Sequence, residues 1–155
     1  MSQQRSGPTD ILLIEDSPTI AELFAYALQA NKSRATLRIV QDAEAALALL
    51  LDGHPAAASN PLPLPRLVVL DLHLPTLNGL EALDRLRGNE RTRQLPVVIY
   101  SASDRDSDRA EAMRRGANGF VRKPVGFKDA CAAVARIERE WLTGELSPAF
   151  VQAGH

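Results

Sequence analysis

Short apolar runs, each closed by polar or turn-forming residues, set the frame of this chain. Ile11–Ile14, Leu67–Leu70, Val97–Tyr100 and Phe120–Val121 read as strands, with Thr36–Val40 as a further one between the first two. Between them, apolar residues recur at helical spacing. Ile20, Leu23, Phe24, Ala27 and Leu28 form one such set, and Ala43, Ala46, Leu47 and Leu50 a second. Leu80, Leu83 and Leu86 form a third, and Phe127, Cys131, Val134, Ile137 and Trp141 another, in a helix from about Gly126 to Leu142. Ser17 before Pro18, and Asp42, are suited to cap helix starts, because their side chains accept from orphan amides of the first turn. Asn78-Gly79 opens a helix reaching about Arg87. Asp104 or Asp106 is expected to cap a further helix, which Gly116 ends. Strand–helix alternation predicts a parallel sheet covered on both faces.

A chain of 155 residues, 45% hydrophobic and 24% charged, fits one globular domain. Residues 1–9 are polar and expected to fray, 10–143 form the domain, and 144–155 form a tail. The stretch from Asp52 to Arg66 carries Pro55, Pro61, Pro63 and Pro65 and reads as an extended loop. A formal net charge of −1 gives no sign of nucleic-acid binding. No apolar run approaches the length of a membrane span, and Met1 to Thr9 has no apolar core of a signal peptide. The single cysteine, Cys131, suits a cytoplasmic location and excludes an internal disulfide.

The chemistry gathers where strands end. The first strand runs into Glu15-Asp16, the third into Asp71, the fourth into Ser101, and the fifth into Lys123-Pro124. In an open parallel sheet, ligands bind outside the carboxyl ends of the strands. Two carboxylates about 4 Å apart repel by roughly 4 kcal/mol at an effective dielectric near 20, which a divalent cation removes. Mg²⁺ favours one or two carboxylates with phosphate oxygens and water. With Lys123 opposite and a Ser101 hydroxyl to donate, the set suits phosphoryl transfer to an aspartate nucleophile.

In these four motifs the chain resembles the receiver domains of two-component response regulators, the chemotaxis type included, over about Ile11 to Trp141. The resemblance implies a doubly wound, five-stranded parallel sheet of flavodoxin-like form, strand order 2-1-3-4-5. It implies Asp71 as phospho-acceptor and Glu15, Asp16 and Asp71 around Mg²⁺, with the His73 backbone carbonyl as a further ligand. It makes Ser101 the phosphoryl sensor, Lys123 its ion partner, Phe120 the aromatic switch residue, and Pro124 the follower of a cis peptide bond. The side chains of His73 and Ser103 would tune phosphoryl lifetime. A narrower similarity, in the long segment before the third strand, in Leu86–Pro96 and in Trp141-Leu142, is to response regulators paired with phytochrome-type histidine kinases. That group has no output domain, and many of its members dimerise through the last helices. The expected partners are therefore a sensor histidine kinase, a phytochrome-type photoreceptor kinase among them, and a second copy of the chain. The homodimer would use Val134, Ile137, Trp141, Phe150 and Val151.

Each residue also has a plainer reading. Asp71 alone is a loop cap, Glu15-Asp16 an acidic turn, and Lys123-Pro124 a strand exit; order along the chain gives them weight together. Arg85, Arg87, Arg91 and Arg93 read as a solvated face, and Cys131 as a small buried helix residue. One rival function is an aspartate-nucleophile phosphohydrolase, which needs a second acid where this chain has His73. Another is a receiver-like interaction module that works without phosphorylation, which would lack part of the site. The expected protein is a signalling switch and not an enzyme acting on an external metabolite.

Overall fold

A computed structural model of the chain describes residues 9–52, 64–75 and 77–142. The apolar runs form β1 (Ile11–Ile14), β2 (Leu37–Val40), β3 (Leu67–Asp71), β4 (Val97–Ser101) and β5 (Gly119–Arg122). They join in one parallel sheet of order β2-β1-β3-β4-β5, the expected doubly wound arrangement. The helices are α1 (Pro18–Ala30), α2 (Ala43–Leu47), α3 (Gly79–Arg87), α4 (Asp106–Arg114) and α5 (Phe127–Trp141). Helix α2 continues as a wider π-helical turn over Ala48–Asp52.

Alternation along the strands splits the core into two layers, because successive side chains point to opposite faces. Leu12, Ile14, Val68, Leu70, Val97, Ile99 and Phe120 pack with α2, α3 and Ala112 of α4. Ile11, Leu13, Leu67, Val69, Val98, Tyr100 and Val121 pack with α1 and α5. Covering both faces is what allows β1, β3 and β4 to be apolar at every inner position. Caps start the helices as the sequence suggests. Ser17, Asp42 and Asn78 accept from the amides of Ile20, Ala45 and Glu81. Among the described residues, no helix is long and apolar enough to cross a membrane.

Several expectations are corrected. Helix α4 starts after Arg105 without a side-chain cap, since Asp104 lies outside it and Asp106 is its first residue. Phe127 is 50% exposed at the start of α5, and Cys131 is half-buried. The Lys123–Pro124 peptide is not cis, as no described peptide bond is; the trans form is intrinsically favoured even before proline, and Gly126 at φ 92 redirects the chain into α5. Arg87 and Arg91 do not belong to a solvated face: their guanidinium groups donate to backbone carbonyls, Arg91 to Leu50. Val134 and Ile137 are fully buried in the chain's own core. Trp141, also expected at the dimer contact, is partly buried against the same core. It lies on Gly119 at the start of β5, where an added Cβ would come within 2.2 Å of the indole. The dimer residues Phe150 and Val151 lie outside the described residues, as do most of the Pro-rich loop and the tail.

Candidate functional site

Because the strands are parallel, the residues leaving β1, β3, β4 and β5 meet at one end of the sheet. Glu15, Asp16 and Asp71 each bring a carboxylate oxygen within 4.8 Å of the others. Glu15 and Asp71 are buried, at 1% and 3% exposure, while Asp16 is exposed. The Lys123 ammonium stands 2.9 Å from Glu15 Oε1 and 3.2 Å from Asp71 Oδ1. Its backbone amide donates to the Ser101 carbonyl at 2.7 Å, which ties the exit of β5 to the tip of β4. All four motifs read from the sequence are thus brought together.

Backbone contacts fix these side chains. Asp71 Oδ1 also accepts the His73 amide at 3.1 Å, while the His73 side chain is exposed. Glu15 Oε2 accepts the Ser17 amide at 3.1 Å, so the turn that caps α1 also orients Glu15. Gly79, the first residue of α3, donates its amide to the Leu72 carbonyl at 2.9 Å. A Cβ there would stand 2.4 Å from the Asp71 carbonyl oxygen and 2.8 Å from Leu72 Cα. The sequence shows Gly79 only as a helix start; its closeness to the acceptor loop appears in three dimensions alone.

Three carboxylates face one ammonium, so negative charge is in excess. Burial pushes the Glu15 carboxyl above its ordinary range, and the nearby Asp71 charge adds to this. Lys123 and the Ser17 amide pull it down without prevailing. Burial, followed by the Glu15 charge, also pushes the Tyr100 phenol up. Glu15 Oε1 has the close Lys123 ion pair but no aligned hydrogen bond. Three carboxylates whose oxygens lie within 4.8 Å of one another, with only one ammonium beside them, form an all-oxygen set that fits a hard divalent cation such as Mg²⁺ or Mn²⁺.

A second row of residues stands behind the first. Ser101 is fully buried, and its Oγ accepts the Ser103 amide at 3.1 Å. The Ser103 hydroxyl donates in turn to the Asp108 carboxylate at 2.5 Å, which holds that carboxyl below its usual range. Phe120 is 5% exposed and points into the core, with the Arg109 guanidinium 5.3 Å from its ring centre. Asp108 and Arg109 escaped the sequence reading, because on a mostly polar helix they look like solvated charges.

Known proteins resemble the chain in sequence and in fold. The sequence profile of the response regulator receiver domain matches residues 11–135. The chain is 34% identical over 145 residues to the probable methanogenesis regulatory protein FilR2 of Methanothrix harundinacea, covering 94% of this chain and 91% of that protein. It is 32% identical over 149 residues to response regulator Rcp1 of Synechocystis sp., covering 96% and 99%. The crystal structure of Mn(2+)-bound Rcp1 matches with a TM-score of 0.76 at 30% identity, over 91% of this chain and 99% of that one. The phosphorylated cyanobacterial phytochrome response regulator RcpA matches with a TM-score of 0.77 at 26% identity, over 92% and 99%. With its strand order, its acidic cleft and these relatives all in agreement, the chain belongs to the response regulator receiver domain family.

Proposed function

We propose that this chain accepts a phosphoryl group from a histidine kinase on Asp71. The observation that carries this reading is a buried aspartate at a strand tip, held by one lysine and flanked by two further carboxylates. Lys123 and the His73 amide both engage Oδ1, so Oδ2 is the oxygen placed to attack. A new P–O bond forms between the Asp71 carboxylate and phosphorus as the P–N bond to the donor histidine breaks, and the leaving imidazole nitrogen takes up a proton from water. Glu15, Asp16, Asp71 and the His73 carbonyl would hold Mg²⁺, which supplies charge neutralisation at the phosphoryl oxygens. Lys123 pairs with the phosphoryl group, Ser101 donates its hydroxyl hydrogen to it, and Phe120 carries the response to the α4–β5 side. The protein is then a signalling component, without a metabolite substrate.

The similarity to Rcp1 and to the phytochrome response regulator RcpA supports a phytochrome-type kinase as the donor. A homodimer is supported less, now that Val134, Ile137 and Trp141 serve the chain's own core. Phe150 and Val151 lie outside the described residues; among the described ones, Met113 of α4, Val125 before α5 and Phe127 of α5 are exposed by 42%, 88% and 50%. Sedimentation of the full chain tests the homodimer.

The central test is acetyl phosphate with Mg²⁺, followed by intact-mass spectrometry. One added phosphoryl group is expected, absent in Asp71→Asn and absent without the metal. Modification that survives in Asp71→Asn would refute the assignment. Turnover of a chromogenic phosphate ester would favour a hydrolase instead.

A further inference from the structure

A switch built on Ser101 and Phe120 needs a part that links the two, and Ser103 in the β4–α4 loop together with the first turn of α4 does so. On the β4 side, the Ser103 amide donates to Ser101 Oγ, and the Ser103 hydroxyl donates to Asp108. The Arg105 amide donates to the same hydroxyl oxygen at 3.1 Å. On the β5 side, the next residue along, Arg109, lies over the Phe120 ring and reaches the Phe120 carbonyl from Nη2 at 3.4 Å. Arg109 thus meets the ring and the backbone of one residue. A phenylalanine at this position has no hydroxyl with which to anchor itself, so the ring's place depends on packing and on the cation above it.

Among the described α-helices, α4 buries the fewest residues. Of its residues only Ala112 is buried, whereas α5 buries Ala130, Val134 and Ile137. A helix with so little buried apolar surface shifts at low cost.

We infer that Arg109 is a positioning residue of the switch. It holds Phe120 inward through its ring contact, and Asp108 beside it ties that contact to Ser101. The inference rests on the reading of Asp71 as acceptor. Phe120 is already inward here, so Arg109 favours the form that receives the phosphoryl group, and affinity for that group is coupled to the contact. An exposed cation–π contact corresponds to about a twofold to fivefold effect on such an equilibrium.

The test is titration of the full chain with beryllofluoride and Mg²⁺, a phosphoryl mimic, followed by fluorine NMR. Arg109→Ala is expected to weaken binding about twofold to fivefold, and Arg109→Lys to recover most of it. In a Phe120→Leu background, Arg109→Ala is expected to change nothing further, which a role in packing alone would not produce. Equal affinity in wild type and Arg109→Ala, with or without a drop in melting temperature, would overturn the inference. So would an undiminished loss in the Phe120→Leu background. If wild type takes up no beryllofluoride, the acceptor reading falls, and this inference with it.

Discussion

The two ends of the sheet treat buried charge in opposite ways. At the amino ends of the strands, the Arg87 guanidinium donates to the carbonyls of Gly116, Thr92, Arg93 and Leu95 at 2.8–3.2 Å. It donates also to the Asn118 side chain at 2.9 Å. Every one of these partners is a neutral dipole. Burial lowers the Arg87 pKa, yet a guanidinium remains charged. At the carboxyl ends, Glu15 and Asp71 share Lys123 while Asp16 adds a third carboxylate close by, and Glu15 Oε1 meets Lys123 without an aligned hydrogen bond. One end has a charge whose donors are used, and it locks loops in place. The other has charge in excess, and it is ready for a ligand. Satisfied burial makes structure; unsatisfied burial marks function.

Breaking the first end should have the largest effect. Arg87→Ala removes the donors that hold the turn after α3, the Leu95 carbonyl and the turn at Gly116 together. A loss of about 2–4 kcal/mol is expected, from several charged hydrogen bonds and the acceptors left without a partner. Urea unfolding measures it. Arg87→Lys should restore only part, since an ammonium lacks the planar fork. Phosphorylation of the folded fraction should persist, because Asp71 sits at the opposite end. A loss below about 0.5 kcal/mol would place Arg87 among ordinary surface residues.

Gly79 and Gly88 sharpen the contrast, since they stand at opposite ends of α3. A Cβ at Gly79 collides with the backbone of Asp71 and Leu72. At Gly88 its nearest neighbour is the Asp84 carbonyl oxygen at 3.4 Å, an ordinary contact. Gly79→Ala should cost about 1–3 kcal/mol through overpacking. It should also slow phosphorylation from acetyl phosphate about tenfold or more, because it displaces the acceptor. Gly88→Ala should leave the rate unchanged. Equal rates in the two variants would show that the Asp71 loop absorbs the methyl group without moving the carboxylate.

The same contrast explains what the sequence revealed. Strand tips were legible because the runs are short: the first, third and fourth lead directly into a site residue, and the fifth reaches Lys123 one residue after Arg122. Glu15, Asp71, Ser101 and Lys123 needed only strand order to come together. Ser17, Asp42 and Asn78 were legible because capping is local. Contacts that depend on register between distant segments were not. Nothing near Gly119 announces that Trp141 will cover it, and nothing near Arg87 announces the carbonyls of Gly116 and Leu95. Helical spacing alone placed Phe127 inward, yet the helix starts there, ahead of the sheet it covers. Arg109 looked solvated because its partner, Phe120, belongs to the neighbouring strand.

The smallest expected effect concerns the charged end itself. The Glu15 carboxyl is raised from the ordinary 4.5 by burial and by Asp71. The folded chain therefore holds this proton more tightly than the unfolded chain does. Unfolding free energy must fall as pH rises from about the ordinary carboxylate value toward the raised one, and the deficit persists at neutral pH. Glu15→Gln removes that slope while leaving Lys123 paired with Asp71. The metal-free variant is expected to be more stable than wild type at about pH 7, by about 1 kcal/mol or less, and to lose the advantage by about pH 4. Adding Mg²⁺ should reverse the order at neutral pH, because a cation that binds only the folded state stabilises it in proportion to its affinity. Wild type keeps the Glu15 carboxylate and should gain more. Urea titrations of both proteins at the two pH values, with and without Mg²⁺, supply the comparison. If the two pH profiles run parallel, the excess charge is being relieved elsewhere, and Glu15 is not the group that carries it.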